Sequence, residues 1–149
     1  MSIRKKYIKK VIEFLKGLLK KFNPAADKDH FGLITFNKQA NLVFDFANSD
    51  YYNMNQLLNK ISREPKTRKW GTRTDLALEL ARDKLFTKAG GDRPDKPNVM
   101  LVLTDGKPFG LPKDRNFAEF AKSISSDFQV STHSLVFNRN PANACWPYI

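Results

Sequence analysis

Val99-Met100-Leu101-Val102-Leu103-Thr104-Asp105-Gly106 is the stretch that decides the fold. Its apolar residues run on without alternating with polar ones. That is the pattern of a strand covered on both faces, as in the parallel sheets of α/β proteins, rather than of an antiparallel strand with one wet face. In open α/β sheets, ligands gather at the carboxyl ends of the strands. Asp105 therefore stands where a metal ligand or a nucleophile would stand, and Gly106 lets the chain turn sharply away. An aspartate capping the following turn explains the same residue equally well.

Upstream, Ala89–Pro97 is rich in turn residues. Before it, Thr72-Arg73-Thr74-Asp75 opens a helix expected to run to about Lys88, with Leu76, Leu80 and Leu85 among its apolar positions. Thr72 follows Gly71 and has two readings: a helix N-cap, or a hydroxyl facing the same crevice as Asp105, because helix N-termini and strand C-termini share an edge of such sheets. Phe31–Phe36 and Asn41–Phe46 read as strands joined by Asn37-Lys38-Gln39, a connection short enough to force antiparallel pairing. Tyr51–Arg63 carries a helical stripe, and Glu64–Gly71 is a loop. Ile3 to Phe22 is an amphipathic helix with lysines opposite its apolar face, ended by Asn23-Pro24. Downstream, Asp114–Ser126 reads as a helix and Val130–Phe137 as a strand. The order α–β–β–α–α–β–α–β predicts an α/β fold: a doubly wound, mostly parallel sheet with one antiparallel edge strand and helices on both faces. One domain over residues 1–137 and an irregular tail over 138–149 are expected.

A chain of 149 residues, 41% hydrophobic and 12% aromatic, is long and apolar enough to bury a core, which argues against wholesale disorder. The single cysteine, Cys145, rules out an internal disulfide and a cysteine-based zinc site. No stretch reaches the roughly 18 uninterrupted apolar residues of a membrane span. Enzyme signatures are missing: there is no phosphate-binding G-x-x-x-x-G-K-[ST] loop and no G-x-S-x-G elbow, and His30 and His133 lack metal-ligand spacing. Each histidine reads as a loop or strand residue. The net charge of +11 is concentrated: residues 1–22 hold eight basic residues against Glu13 alone. That segment is no secretory signal, because lysines interrupt its apolar residues.

Several segments together resemble one family. Gly71-Thr72-Arg73-Thr74-Asp75-Leu76-Ala77-Leu78 is similar to the "GTxTxxAL" segment of von Willebrand factor A (integrin I-like) domains, and Val99–Gly106 to their "VLVVLTDG" strand. Phe31–Phe36 resembles the "vGvvtF" strand, and Leu85-Phe86, Gly90-Gly91 and Arg93-Pro94 resemble the "LF…GaRp" loop. The resemblance implies a doubly wound α/β sheet with a metal-ion-dependent adhesion site on its upper edge. There a divalent ion, usually Mg²⁺, is held by a D-x-S-x-S loop, a threonine and an aspartate, matched here by Thr72 and Asp105. The D-x-S-x-S loop and the strand before it are absent, as are the last strand and helix of the usual domain. The chain is therefore expected to be a truncated piece whose β-run at Val99–Leu103 lacks a strand partner. With two protein oxygens, it is expected to hold no tightly bound ion alone, whereas an intact parent would bind Mg²⁺.

The functional expectation is an adhesion or extracellular-matrix protein-binding module, not an enzyme. Its partner would be an extracellular or matrix protein that offers an acidic contact residue, a skeletal matrix included. Acidic polymers are a further expected partner, through the basic helix over residues 3–22, while nucleic acid is not. The alternatives are an intracellular A-like scaffold component and a membrane-surface helix at 3–22.

Overall fold

The computed structural model describes residues 5–64, 71–104, 116, 119–120, 122–123 and 130–136. The basic segment forms α1 (Lys5–Leu19). Leu15 and Leu19 on its apolar stripe pack with Phe44, Leu57 and Ile61, while Lys9, Lys10, Lys20 and Lys21 are exposed. The C-terminal part of the apolar stripe thus packs in the core, as in a sheet-covering helix.

A turn held by the Asn23 N–H donating to Asp29 Oδ2 (2.8 Å) leads to β1 (Leu33–Phe36) and β2 (Ala40–Phe44), paired antiparallel. A bulge between Leu33 and Ile34 shifts the register, so that Leu33 faces Phe44 and Ile34 faces Leu42. Successive strand residues point to opposite faces, and both faces are covered. Leu33 packs with α1 and with α2 (Met54–Arg63). Ile34 and Leu42 pack on Ala81, Leu85 and Phe86. Helical cover on both sides is the expected doubly wound arrangement.

A single 3₁₀ turn (Ser49–Tyr52) precedes α2, whose N-cap Asn53 accepts hydrogen bonds from the N–H groups of Asn55 (3.0 Å) and Gln56 (3.2 Å). The helix expected from Thr72 to Lys88 is shorter: α3 spans Thr74–Leu80, and Ala81–Leu85 is a π-helical turn closed by the Phe86 N–H donating to Ala81 O at 2.8 Å. The wider turn seats Ala81, Leu85 and Phe86 together against the hairpin. Of the helix expected at Asp114–Ser126, Glu119, Phe120, Lys122 and Ser123 are helical, Asn116 is not and its backbone oxygen accepts from the Phe120 N–H at 3.0 Å, and the rest lies outside the described residues. The tail expected at 138–149 also lies outside them.

β3 (Asn98–Thr104) and β4 (Val130–Val136) pair in parallel over seven residues, from Asn98–Val130 to Thr104–Val136. Among the described residues the sheet is therefore in two parts, an antiparallel pair and a parallel pair. One expectation is corrected. The β3 run is not fully buried on both faces: Val99 is 62% exposed and Met100–Leu103 are half-buried.

Candidate functional site

The segment that leads into α3 is fixed to the β1–β2 turn. Gly71 lies in the left-handed region (φ 118°), where a Cβ would come within 2.8 Å of the Lys38 backbone nitrogen. Only glycine fits so close an approach without strain. Two residues on, the Arg73 N–H donates to Asn37 O at 2.8 Å. Thr72 is held between these anchors and is only 5% exposed. It is not the N-cap: Arg73 occupies that position, and no side-chain hydrogen bond caps the helix there. Thr72 thus lies one residue before the N-cap position, buried beside the crevice.

Asp75, in the first turn of α3, is fully buried. Its carboxylate accepts both forks of the Arg73 guanidinium, Nε to Oδ1 at 2.9 Å and Nη2 to Oδ2 at 2.8 Å. The bidentate geometry is the strong form of such a pair. Hydrogen bonding to Asp75 holds the Arg73 guanidinium above its usual range, against the opposing effect of burial. A carboxylate committed in this way is a structural anion, not a spare metal ligand. Sequence reasoning missed the pair. Its signal is Arg73-x-Asp75 at the head of a helix, where an acidic residue also suits the helix dipole.

Asp105, the second expected ligand, lies outside the described residues, one position beyond the end of β3. Thr104, the last residue of that strand, is buried, as are Thr72 and Thr74. All three hydroxyl residues line one cavity. Thr74 is 4% exposed, and its Oγ1 is buried without a hydrogen-bond partner. Neither Thr74 nor Thr104 was singled out from the sequence, since buried threonines resemble ordinary strand or cap residues. Among the described residues, no group of three or more His, Cys, Asp or Glu side chains is placed to hold a metal ion. The described donors do not make a divalent-cation site unaided, because Thr72 supplies one hydroxyl where a hard cation takes six or so oxygens.

His30, as expected, is a loop residue with local partners. Its Nε2 lies 3.0 Å from Ala26 O, and its ring stacks on Tyr52 with centroids 4.3 Å apart. Among the described residues no helix is long and apolar enough to cross a membrane.

An α/β layer with a threonine before α3 and an aspartate due after β3 defines a class, and the family comparison bears it out. The von Willebrand factor type A domain matches residues 1–143, and the chain belongs to that family. Matrilin-4 of Mus musculus is 27% identical over 110 residues, covering 72% of this chain and 17% of its own length. Integrin alpha-11 of Mus musculus is 30% identical over 102 residues, covering 68% of this chain and 8% of its own length. The chain thus spans less than a fifth of either relative. Among solved structures, proximal thread matrix protein 1 from the mussel byssus superposes with a TM-score of 0.75 at 19% identity, covering 88% of this chain and 32% of that one. At that identity the likeness shows the fold. A further structure of the mussel protein has zinc in its MIDAS motif. The relatives are thus matrix and adhesion proteins.

Proposed function

We propose that the chain is part of an adhesion or extracellular-matrix module that binds another protein and is not an enzyme. Family membership together with the burial of Thr72 carries this reading: Thr72 is held between Gly71 and Arg73, both of which lie against the β1–β2 turn, and this fixes where its side chain sits. In this reading Thr72 and Asp105 contribute two oxygens to a divalent-ion site. A D-x-S-x-S loop in an intact parent supplies the remaining protein oxygens. The ion, when bound, would supply an open coordination position for a carboxylate of the partner. Mg²⁺ suits such an oxygen set, and the module works outside the cell.

Solid-phase binding to immobilised matrix proteins, fibrillar collagen among them, tests this in two formats: the 149-residue chain alone, and the chain joined upstream to a strand ending in D-x-S-x-S. The joined form is expected to bind in a manner abolished by EDTA and weakened about tenfold or more by Thr72→Ala or Asp105→Ala, as loss of a metal ligand requires. Binding that ignores both EDTA and the two substitutions would overturn the metal-bridged reading.

A further inference from the structure

The charge of α1 is gathered in two places. Lys9 and Lys10 stand near its beginning, Lys20 and Lys21 just past its end, and all four are exposed. The Lys20 N–H donates to Lys16 O (3.2 Å) and the Lys21 N–H to Leu18 O (3.0 Å), so the helical path continues through both. Eleven residues at 3.6 per turn make about three turns and advance about 16 Å. Lys20 therefore stands in line with Lys9, and Lys21 with Lys10, the two doublets about 16 Å apart along one face. Between them lie exposed Glu13 and Gly17 and half-buried Lys16. One carboxylate and one ammonium leave this middle stretch close to neutral. Glu13 is four residues from Lys9 and three from Lys10 and Lys16, spacings at which side chains can meet on a helix. Among the described residues, however, neither Glu13 nor any of the four exposed lysines takes part in an ion pair. The first turn of α1 holds no acidic residue that would offset Lys9 and Lys10. The opposite side of the helix is occupied, since Leu15 and Leu19 pack in the core. The outer face thus carries two uncompensated positive islands with a neutral gap between them.

We infer that this face docks an extended acidic segment of another protein, whose carboxylates come as two doublets five residues apart. At about 3.3 Å per residue, five extended residues cover about 16 Å, the separation of the two islands. An extended chain turns successive side chains to opposite sides, so a doublet at each end directs one carboxylate to the helix whichever side is presented. Three uncharged residues then cross the neutral middle, where a further carboxylate would meet Glu13. A uniformly charged polymer, such as a sulfated polysaccharide, places charge there as well and gains little from it. Lysine suits the contact: its ammonium is a point charge on a flexible stem, and it pairs with a carboxylate without demanding a fixed fork geometry. Each pair is exposed and weak on its own, so the selectivity lies in the spacing of the islands. At about 0.1 M salt the Debye length is about 10 Å, shorter than the gap, and each island acts separately. The surface stands apart from the metal reading, because no ion takes part in it.

The full chain is titrated at about 0.1 M salt with two end-capped, seven-residue peptides of equal composition, and amide NMR shifts are followed. One peptide has a glutamate doublet at each end around glycine-serine-glycine. In the other the four glutamates are contiguous. The split peptide is expected to bind about threefold more tightly or better, because only it engages both islands, and to shift the amides of Lys9, Lys10, Lys20 and Lys21 together. Lys20→Gln with Lys21→Gln, both exposed, removes one island and should abolish the preference. Equal binding of the two peptides by the natural chain would show a generic basic surface and overturn the proposal, as would shifts confined to one island. Tighter binding of a sulfated oligosaccharide, at equal ligand charge, would make that polymer the occupant and overturn it too. As a second measurement, Glu13→Gln should tighten heptaglutamate, which carries charge across the middle, by more than it tightens the split peptide. An equal gain for both would overturn the neutral gap on which the spacing rests. Every titration contains EDTA, so failure here leaves the metal-bridged reading standing, and failure of that reading leaves this one.

Discussion

At the scale of single residues, the Arg73–Asp75 pair decides how the head of α3 is built. A carboxylate with no exposed surface is costly to bury unless charge and hydrogen bonds compensate it. The guanidinium supplies both through two bonds of 2.8–2.9 Å. Removing the cation while leaving the anion is therefore the damaging change. Arg73→Ala should cost about 3 kcal/mol in urea unfolding, the low end for breaking a buried pair, because the Arg73 side chain keeps a quarter of its surface in water. Replacing both partners together, Arg73→Leu with Asp75→Leu, should cost less than Arg73→Ala alone. A larger loss in the double variant would mean that the pair is not what stabilises the turn. The exposed Arg82–Asp83 pair obeys the same chemistry with little at stake. Hydrogen bonding to Arg82 holds the Asp83 carboxyl below its ordinary range. A lowered carboxyl contributes stability that is present above its unfolded pKa and lost as pH falls through the folded one. NMR titration of Asp83 should therefore show an acid-shifted midpoint that returns to the usual carboxylate value in Arg82→Gln. The buried pair was not legible in the sequence, because Arg-x-Asp spacing is common on solvated helices, and only burial, which a lone sequence does not display, gives it meaning.

At the scale of elements, the parts with a strong local period were the readable ones. The β1–β2 hairpin follows from two short apolar runs separated by Asn37-Lys38-Gln39, and the observed connection is held by the Gln39 N–H donating to Asn37 Oδ1 at 3.2 Å. α1 and α2 follow from their apolar stripes. α3 was overestimated, because the apolar spacing from Leu76 to Leu85 is satisfied equally by an α-helix and by an α-helix that widens into a π turn. The choice is made by tertiary packing of Ala81, Leu85 and Phe86 on the hairpin. The burial of β3 was overestimated too: its apolar run is continuous, yet Val99 is 62% exposed and Met100–Leu103 are half-buried. Leu57 tests how far α2 carries the fold. It has no exposed surface and sits among Leu19, Phe44 and Ile61. Leu57→Ala should destabilise by about 2–5 kcal/mol. Asn53→Ala, which removes the cap on the same helix, should cost about 1 kcal/mol. Thermal unfolding followed by circular dichroism would rank the two, and a reversed order would place the stability of α2 in its cap rather than in its packing.

At the scale of the whole molecule, charge and core divide α1 between them. Leu15 and Leu19 hold the helix on the hairpin and α2, and Lys9, Lys10, Lys20 and Lys21 are left facing water. That division separates two expectations of the basic segment. A membrane-surface helix needs its apolar stripe free to enter the lipid boundary, and here Leu15 and Leu19 of that stripe are packed with Phe44, Leu57 and Ile61. An acidic polymer needs only the outward lysines, which remain available without any unfolding. The basic face is therefore expected to retain the chain on immobilised heparin or polyaspartate through screened, long-range attraction. Such attraction fades steeply once the Debye length falls from about 10 Å at 0.1 M salt to about 3 Å at 1 M. Elution should come well below 1 M sodium chloride, and it should move to lower salt when Lys9, Lys10, Lys20 and Lys21 are changed together to glutamine, substitutions that touch no core contact. Retention that persists in high salt, or that survives the fourfold change, would mean that the polymer is held by some other surface. Partition of the folded chain onto anionic vesicles with loss of the Leu19–Phe44 packing would return α1 to the membrane.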